Sequence, residues 1–322
     1  MSRLEPSQAF AGARPRLTIG LVNNMPDAAL QTTERQFGDL LAEARPDFDI
    51  QLRLFSFRGV ERGQRAAAHM RGRYAGVDAL PLAGLDGLIV TGAEPRAAEL
   101  ADEPYWAEFA RLADWAEAAG VPTIWSCLAA HAAVLRQAGV RRHRLPAKKS
   151  GVFASQTAGD DPLLTDAPAQ VFTPHSRLNE LREAELAAAG YQILTWSPGA
   201  GVDSFARRGR ALNLYFQGHP EYDADTLARE YLRDVGRFLR GELATHPATP
   251  ANYFDEETER ALRALAARGE RFRRPDFAGA YARAVERASI LPLWRGFALH
   301  MVGGWLAEAS RRPQRAENLA TA

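Results

Sequence analysis

Cysteine is almost absent from this sequence: Cys127 is the single one in 322 residues. No intrachain disulfide can form, and no Cys/His spacing suited to zinc exists, so no metal site is expected. Long hydrophobic runs are missing as well. No stretch approaches the roughly 18 apolar residues of a membrane-spanning helix, and the N-terminus lacks the apolar core of a secretory signal. A cytoplasmic protein without a membrane partner is expected. Neither sign of charge is in excess: 40 Lys and Arg stand against 39 Asp and Glu, a net charge of +1. Bulk electrostatics therefore give no case for nucleic-acid binding. The basic runs Arg141–Lys149 and Arg271–Arg274 lack aromatic interleaving and read as solvated faces, the first of them a loop. Lysine is scarce too, with only Lys148 and Lys149, a compositional bias that carries no chemistry by itself.

What is present is a globular composition, 46% hydrophobic and 25% charged, in a chain long enough for one large domain or two small ones. Leu17–Val22, Phe48–Leu54, Gly87–Val90 and the segment ending at Trp125 read as strands. Helical stripes separate them: Phe37, Leu40, Leu41 and Ala44; a helix around Arg65–Tyr74; then Tyr105, Phe109, Leu112 and Ala116, with Asp102 as its expected cap. This alternation argues for an α/β fold with a doubly wound, mostly parallel sheet. Short strand candidates follow at residues 151–153, 170–173, 192–196, 202–206 and 211–216, an antiparallel excursion that returns to the sheet. Asp223 is the expected cap of a long helix carrying Leu227, Tyr231, Val235 and Phe238. The expected organisation is a flexible arm over 1–16, a main domain over 17–246, a helical extension over 247–310 and a flexible tail over 311–322. The apolar helix from Leu293 to Glu308 must pack on the core or form a dimer interface.

Cys127 falls between a strand and a helix that runs from Leu128 to Gln137. Such a turn aims the side chain into the crevice beyond the strand ends, where a helix N-terminus favours the nucleophilic thiolate. A lone cysteine is also a small buried hydrophobe in many proteins. His219 and Glu221 shift the balance. They follow directly on a strand, and residues two apart in an extended chain point the same way. Pro220 keeps the segment extended. Brought beside Cys127, they form a Cys-His-Glu triad of nucleophile, base and orienting carboxylate.

The order of motifs resembles the homoserine O-succinyltransferase family, which shares the fold of class I glutamine amidotransferases. The matching segments are Gly87–Ala93 (GLIVTGA), Tyr105-Trp106, Cys127, Ser150–Phe153, Pro174–Arg177 (PHSR), Gly218–Asp223 (GHPEYD), Arg233–Val235, Asn252–Phe254 and Trp294-Arg295. The resemblance implies a two-step acyl transfer in methionine biosynthesis. Cys127 takes an acyl group from acyl-CoA, and a small amino acid activated by His219 then accepts it. Acyl-CoA is a co-substrate, no cofactor is bound, and a homodimer is implied. Backbone N–H groups at Leu128, Gly92 and Ala93 would form the oxyanion hole. Ser176, Arg177, Glu230 and Arg233 would contact the amino acid, an arginine on its carboxylate and Glu230 on its ammonium. A solvated ion-paired helix face is the plainer reading of Glu230 and Arg233.

The chain departs from that pattern in several places. The family's lysine after Met-Pro is missing from Met25-Pro26-Asp27-Ala28. Lys148 matches a family lysine before Ser-Gly-Val and is expected either at the site, on CoA phosphates, or in solvent. His131 replaces a common Gln one turn from Cys127, as a substrate contact, a competing base or a core histidine. Arg96 takes the position that separates succinyl users from acetyl users, and an arginine there favours a dicarboxylic acyl group if it is not turned to solvent. These departures leave serine or another small hydroxy or amino compound open as acceptor. A glutaminase that passes ammonia to a partner is the rival activity on the same triad.

Overall fold

The computed structural model of the protein describes residues 14–312; the expected arm up to residue 13 and the tail beyond residue 312 lie outside the described residues. The first half alternates strands and helices: β1 (Arg16–Val22), α1 (Leu30–Ala44), β2 (Asp49–Ser56), α2 (Gln64–Met70), β3 (Tyr74–Gly76), β4 (Gly87–Val90), α3 (Trp106–Ala118), β5 (Thr123–Ser126) and α4 (Leu128–Ala138). Then come β6 (His143–Thr157), β7 (Gln170–Glu180), α5 (Glu183–Ala188), β8 (Gln192–Ser197), β9 (Gly201–Arg208), β10 (Leu212–Phe216) and α6 (Thr226–Leu239). The chain closes with α7 (Glu256–Phe272), α8 (Ala278–Glu286) and α9 (Arg295–Ser310).

All ten strands join one sheet in the order β3-β2-β1-β4-β5-β10-β9-β8-β6-β7. The ladders from β3 to β10 are parallel and those from β10 to β7 antiparallel. The central parallel strands β1, β4, β5 and β10 are covered on both faces, so they read as apolar runs, whereas β2 alternates Ile50, Leu52 and Leu54 with Asp49, Gln51 and Arg53. Alternate residues still serve opposite layers. Ile89, Ile124 and Leu214 face α1 and α9, whose Phe37, Leu40, Met301 and Trp305 share their cluster. Val90, Trp125 and Tyr215 face the other way, onto Phe109, Leu112 and Val134.

The C-terminal helix α9 therefore packs on its own chain's core, burying Phe297, Met301, Val302, Trp305 and Leu306. A third cluster joins α6 to α7 and α8 through Tyr231, Phe238, Leu262 and Tyr281. The Pro247–Pro250 segment does not hang free, because Ala251 just after it bridges to Gly151 of β6.

Four local expectations need correction. The basic stretch Arg141–Lys149 is not a loop: from His143 it is strand, with a register break between Arg144 and Lys149 that accommodates Pro146, which has no N–H to donate. The helix expected over Arg65–Tyr74 is only α2, because Tyr74 opens β3. Asp102 lies in a separate 3-10 turn, and the N-cap of α3 is Tyr105 without a side-chain cap. Asp223 precedes the true N-cap of α6, Asp225; its carboxylate instead pairs with Arg35 and accepts from Gln36. No helix among the described residues is long and apolar enough to cross a membrane.

Candidate active site

Four strand ends meet at one edge of the parallel half: those of β1, β4, β5 and β10, adjacent in the sheet. Cys127 follows β5 and is the N-cap of α4, with φ +52° and ψ −113°. Positive φ is strained for a residue with a side chain and persists where the surroundings enforce it. Here the Cys127 N–H donates to Phe216 O at 2.7 Å, and the Cys127 carbonyl accepts from Ala130 at 3.0 Å. The neighbouring strand and the first turn of the helix thus fix the bend, and the side chain remains partly exposed.

His219 follows β10, held by its N–H donating to Pro174 O at 2.9 Å. Its Nδ1–H donates to Glu221 Oε1 at 2.8 Å, and its ring stacks on Tyr222 with centroids 4.2 Å apart. That bond assigns the proton to Nδ1 and leaves Nε2 free for the nearby Cys127 side chain. Burial works against the charged ring, but the Cys127 sulfur and the Glu221 carboxylate outweigh it and hold His219 well above the usual histidine range.

Gly92, in the turn after β4, lies against the start of α4. A Cβ built on Gly92 would sit 2.7 Å from Leu128 Cβ and 3.1 Å from Leu128 N. Leu128 is the first residue of its helix, where the N–H has no intrahelical partner. The three expected oxyanion residues, Leu128, Gly92 and Ala93, are thus together beside Cys127.

Beyond Tyr222 lies a polar cluster on α6 and the facing strands. Tyr222 donates to Glu230 Oε1 at 2.6 Å, and Ser176 donates to Glu230 Oε2. Lys148 Nζ sits 3.5 Å from Glu230 and 2.9 Å from Asp234. Burial raises the Glu230 carboxyl, but Lys148, Ser176 and Tyr222 more than offset it and keep Glu230 anionic. Arg233 is half-exposed and pairs with Asp234.

Three further expected substrate contacts lie outside that cluster. Arg177 is only 5% exposed, and three of its five N–H donors go to His175 Nδ1, Asn179 O and Ala200 O, which ties the guanidinium into the core. His131 is 2% exposed and bonds Gln217 Oε1 at 3.1 Å. Burial, with the Arg177 and Arg142 charges, lowers it to about 3, so it is a neutral core histidine rather than a base. Arg96 pairs with exposed Glu61 at 2.8 Å on the rim of a cleft.

That cleft, of about 520 Å³, is bounded by Ala93, Arg96, Tyr105, Asn24 and Arg62. The last two were not legible as site residues. Arg62 threads into the loop after β1, donating to Met25 O and Asn23 O. Its Nε and the Asn24 Nδ2 are buried donors without a partner. One of two arginines in the 57–63 loop, it has no periodicity or motif to announce it. A buried pair beneath the His219 segment was also missed: His175 Nε2 faces Asp203 Oδ1 at 3.4 Å. Among the described residues, no three His, Cys, Asp or Glu side chains converge as a metal ion would need.

A family model described as homoserine O-succinyltransferase matches residues 2–310. A homoserine O-succinyltransferase of Rhodopseudomonas palustris is 54% identical over 259 residues, 80% of this chain and 78% of that one. One from Methylorubrum extorquens is 48% identical over 297 residues, covering 92% and 88%. Among solved structures, a glutamine amidotransferase from Methylobacillus flagellatus aligns with 92% of this chain and 95% of its own at 15% identity and a TM-score of 0.49.

Proposed function

The chain belongs to the homoserine O-succinyltransferase family, and on that premise we propose how its site moves a succinyl group from succinyl-CoA to the hydroxyl of L-homoserine in methionine biosynthesis. The observation that carries the reading is the position of His219, with Nδ1 bound to Glu221 and its ring close enough to Cys127 for the sulfur to stabilise the imidazolium.

Cys127 sulfur, as thiolate beside the His219 imidazolium, attacks the thioester carbonyl. The oxyanion accepts from the N–H of Leu128 and from Gly92 or Ala93, donors each worth about 3 kcal/mol. Collapse breaks the bond to CoA, whose sulfur takes the proton from His219. Neutral His219 then removes the hydroxyl proton of homoserine as its oxygen attacks the acyl-cysteine, and Cys127 leaves as thiolate. Glu230 takes the acceptor's ammonium and Arg233 its carboxylate, with Ser176 and Lys148 orienting Glu230. The cleft beside Ala93 houses the acyl chain. Two buried donors there without partners, Asn24 Nδ2 and Arg62 Nε, suit a distal carboxylate, since an unmet buried donor is costly. That favours succinyl over acetyl, with Arg96 at the mouth.

No bound cofactor is needed; acyl-CoA is consumed as co-substrate, in the cytoplasm. Leu291 and Leu293, 68% and 54% exposed, offer apolar surface through which two copies would pair as a homodimer. The test is to incubate the protein with succinyl-CoA or acetyl-CoA and with homoserine or serine, and to identify products by mass. O-succinylhomoserine as the main product supports the reading. Acyl transfer to another acceptor, or glutamine hydrolysis without acyl transfer, overturns it.

A further inference from the structure

Arg141, Arg142 and Arg144 crowd the start of β6 and line a second cleft, of about 430 Å³. Its opposite wall is Ala97 and Ala98, in the loop that runs on from Gly92-Ala93, together with Leu135 of α4. The arginines are poorly matched by acid. Arg141 meets only Glu99, at 3.6 Å, with both side chains largely exposed; such pairs are worth little. Arg144 makes no ion pair among the described residues. Arg142 is half-buried and donates through one nitrogen to Ala98 O at 3.0 Å, while its other terminal nitrogen, NH1, is buried without a partner. Burial is the largest influence on Arg142 and works against its charge; Tyr105, Glu103 and Glu99 offset part of that, and Arg144 adds to it.

A guanidinium has only donors, so the missing partner is an acceptor, and three cations around one cleft call for a multiply charged anion. The cleft also stands at a telling distance. Leu135 is eight residues past Cys127 on the same helix, about 12 Å along its axis. The pantetheine arm of a CoA thioester spans that order of distance between the reacting carbonyl and the diphosphate. We infer that this cleft seats the phosphate groups of the acyl-CoA donor, with Arg142 NH1 and the Arg141 and Arg144 guanidinium groups as their ligands. The inference rests on the acyl-CoA reading above and adds the site that selects CoA over a simple thioester.

The experiment compares two donors, succinyl-CoA and the nucleotide-free thioester succinyl-N-acetylcysteamine, in the wild type and in Arg141→Ala/Arg144→Ala. Both replaced residues are exposed, so the fold is retained. Succinyl-CoA should lose about 10- to 100-fold in kcat/KM, the size of one or two charge-assisted hydrogen bonds, while the truncated donor changes by less than about twofold on the same scale. Calorimetric titration with 3′,5′-adenosine bisphosphate should show binding to the wild type and a matching loss in the variant. Equal losses with both donors, or unchanged kcat/KM for succinyl-CoA, overturn the inference while leaving the transferase reading intact. If the wild type acylates from neither donor, the transferase reading falls, and the bisphosphate titration still decides the cleft: binding abolished by the variant supports it, and no binding overturns it.

Discussion

The Nδ1 of His219 lies 2.8 Å from Oε1 of Glu221, two residues further along the chain. The segment is not extended as its sequence suggests: the Tyr222 N–H donates to His219 O at 3.2 Å, so Pro220 and Glu221 form a turn that brings the carboxylate back to the ring. The pairing fixes the tautomer, and with it the nitrogen that meets Cys127. In the proposed mechanism, chemistry at the sulfur therefore depends on a residue that touches neither donor nor acceptor.

Glu221→Gln should retain the fold and lose about 10²-fold or more in kcat, as orienting carboxylates do in comparable triads. The sign of its pH effect follows from the charges. Burial disfavours the imidazolium, while Cys127 and Glu221 raise His219 well above the usual histidine range. Neutralising residue 221 lowers His219, so the thiolate–imidazolium pair is lost at a lower pH. The alkaline edge of the kcat/KM profile for succinyl-CoA, set by loss of the His219 proton that the departing CoA sulfur takes, should move down; an unmoved edge counts against this role for Glu221.

Gly92→Ala tests the oxyanion assignment. The added carbon would lie 2.7 Å from Leu128 Cβ, closer than real contacts, so the turn must withdraw from the helix. A loss of about 10² to 10³ in kcat is expected, the scale of one lost oxyanion donor, with an unchanged far-UV spectrum. Near-normal kcat would place the oxyanion elsewhere.

His131→Gln should keep transferase activity and gain acid tolerance. In the native protein His131 is held neutral down to about pH 3, whereas in the unfolded chain it takes up a proton near pH 6.5. Native stability therefore falls as pH drops through that interval, by about 1.4 kcal/mol per pH unit for this one group. The substitution removes that slope; buried His175, also lowered, keeps its own. Urea midpoints at pH 7 and pH 5 should lie closer together in the variant than in the wild type.

Glu230→Gln separates the two half-reactions. Acylation of Cys127 should proceed normally, because the ammonium site is not used in that step. The KM for homoserine should rise by about 10-fold or more, the worth of one charge-assisted hydrogen bond. Slower acylation with an unchanged homoserine KM would assign Glu230 to the donor side instead.

Much of this site was legible because local signals coincide there. The Cys127 bend is a strand, one residue and a helix in direct succession, and His219 and Glu221 are only two apart. Gly92 and Leu128 needed only the strand order. Residues whose surroundings are set by distant partners were harder to place. Arg177 looks like a free cation in its motif, yet the carbonyls of Ala200 and Asn179 tie it into the core. His131 was left open between the site and the core, and Gln217, 86 positions away, decides it. Arg62 could not be found at all, since its neighbours Asn23 and Met25 belong to another loop. The first half of strand β6 was hidden by charge, although residues 151–153 read as strand: its exposed basic start pairs only with β7 and breaks register around Pro146, so no apolar alternation marks it.

The most direct test of the central claim is intact-mass analysis of the protein after brief exposure to succinyl-CoA, before and after homoserine is added. The account predicts a single succinyl adduct, absent from Cys127→Ala, that homoserine discharges as O-succinylhomoserine. An adduct that persists in Cys127→Ala, or O-succinylhomoserine formed at normal rate by that variant, would contradict it.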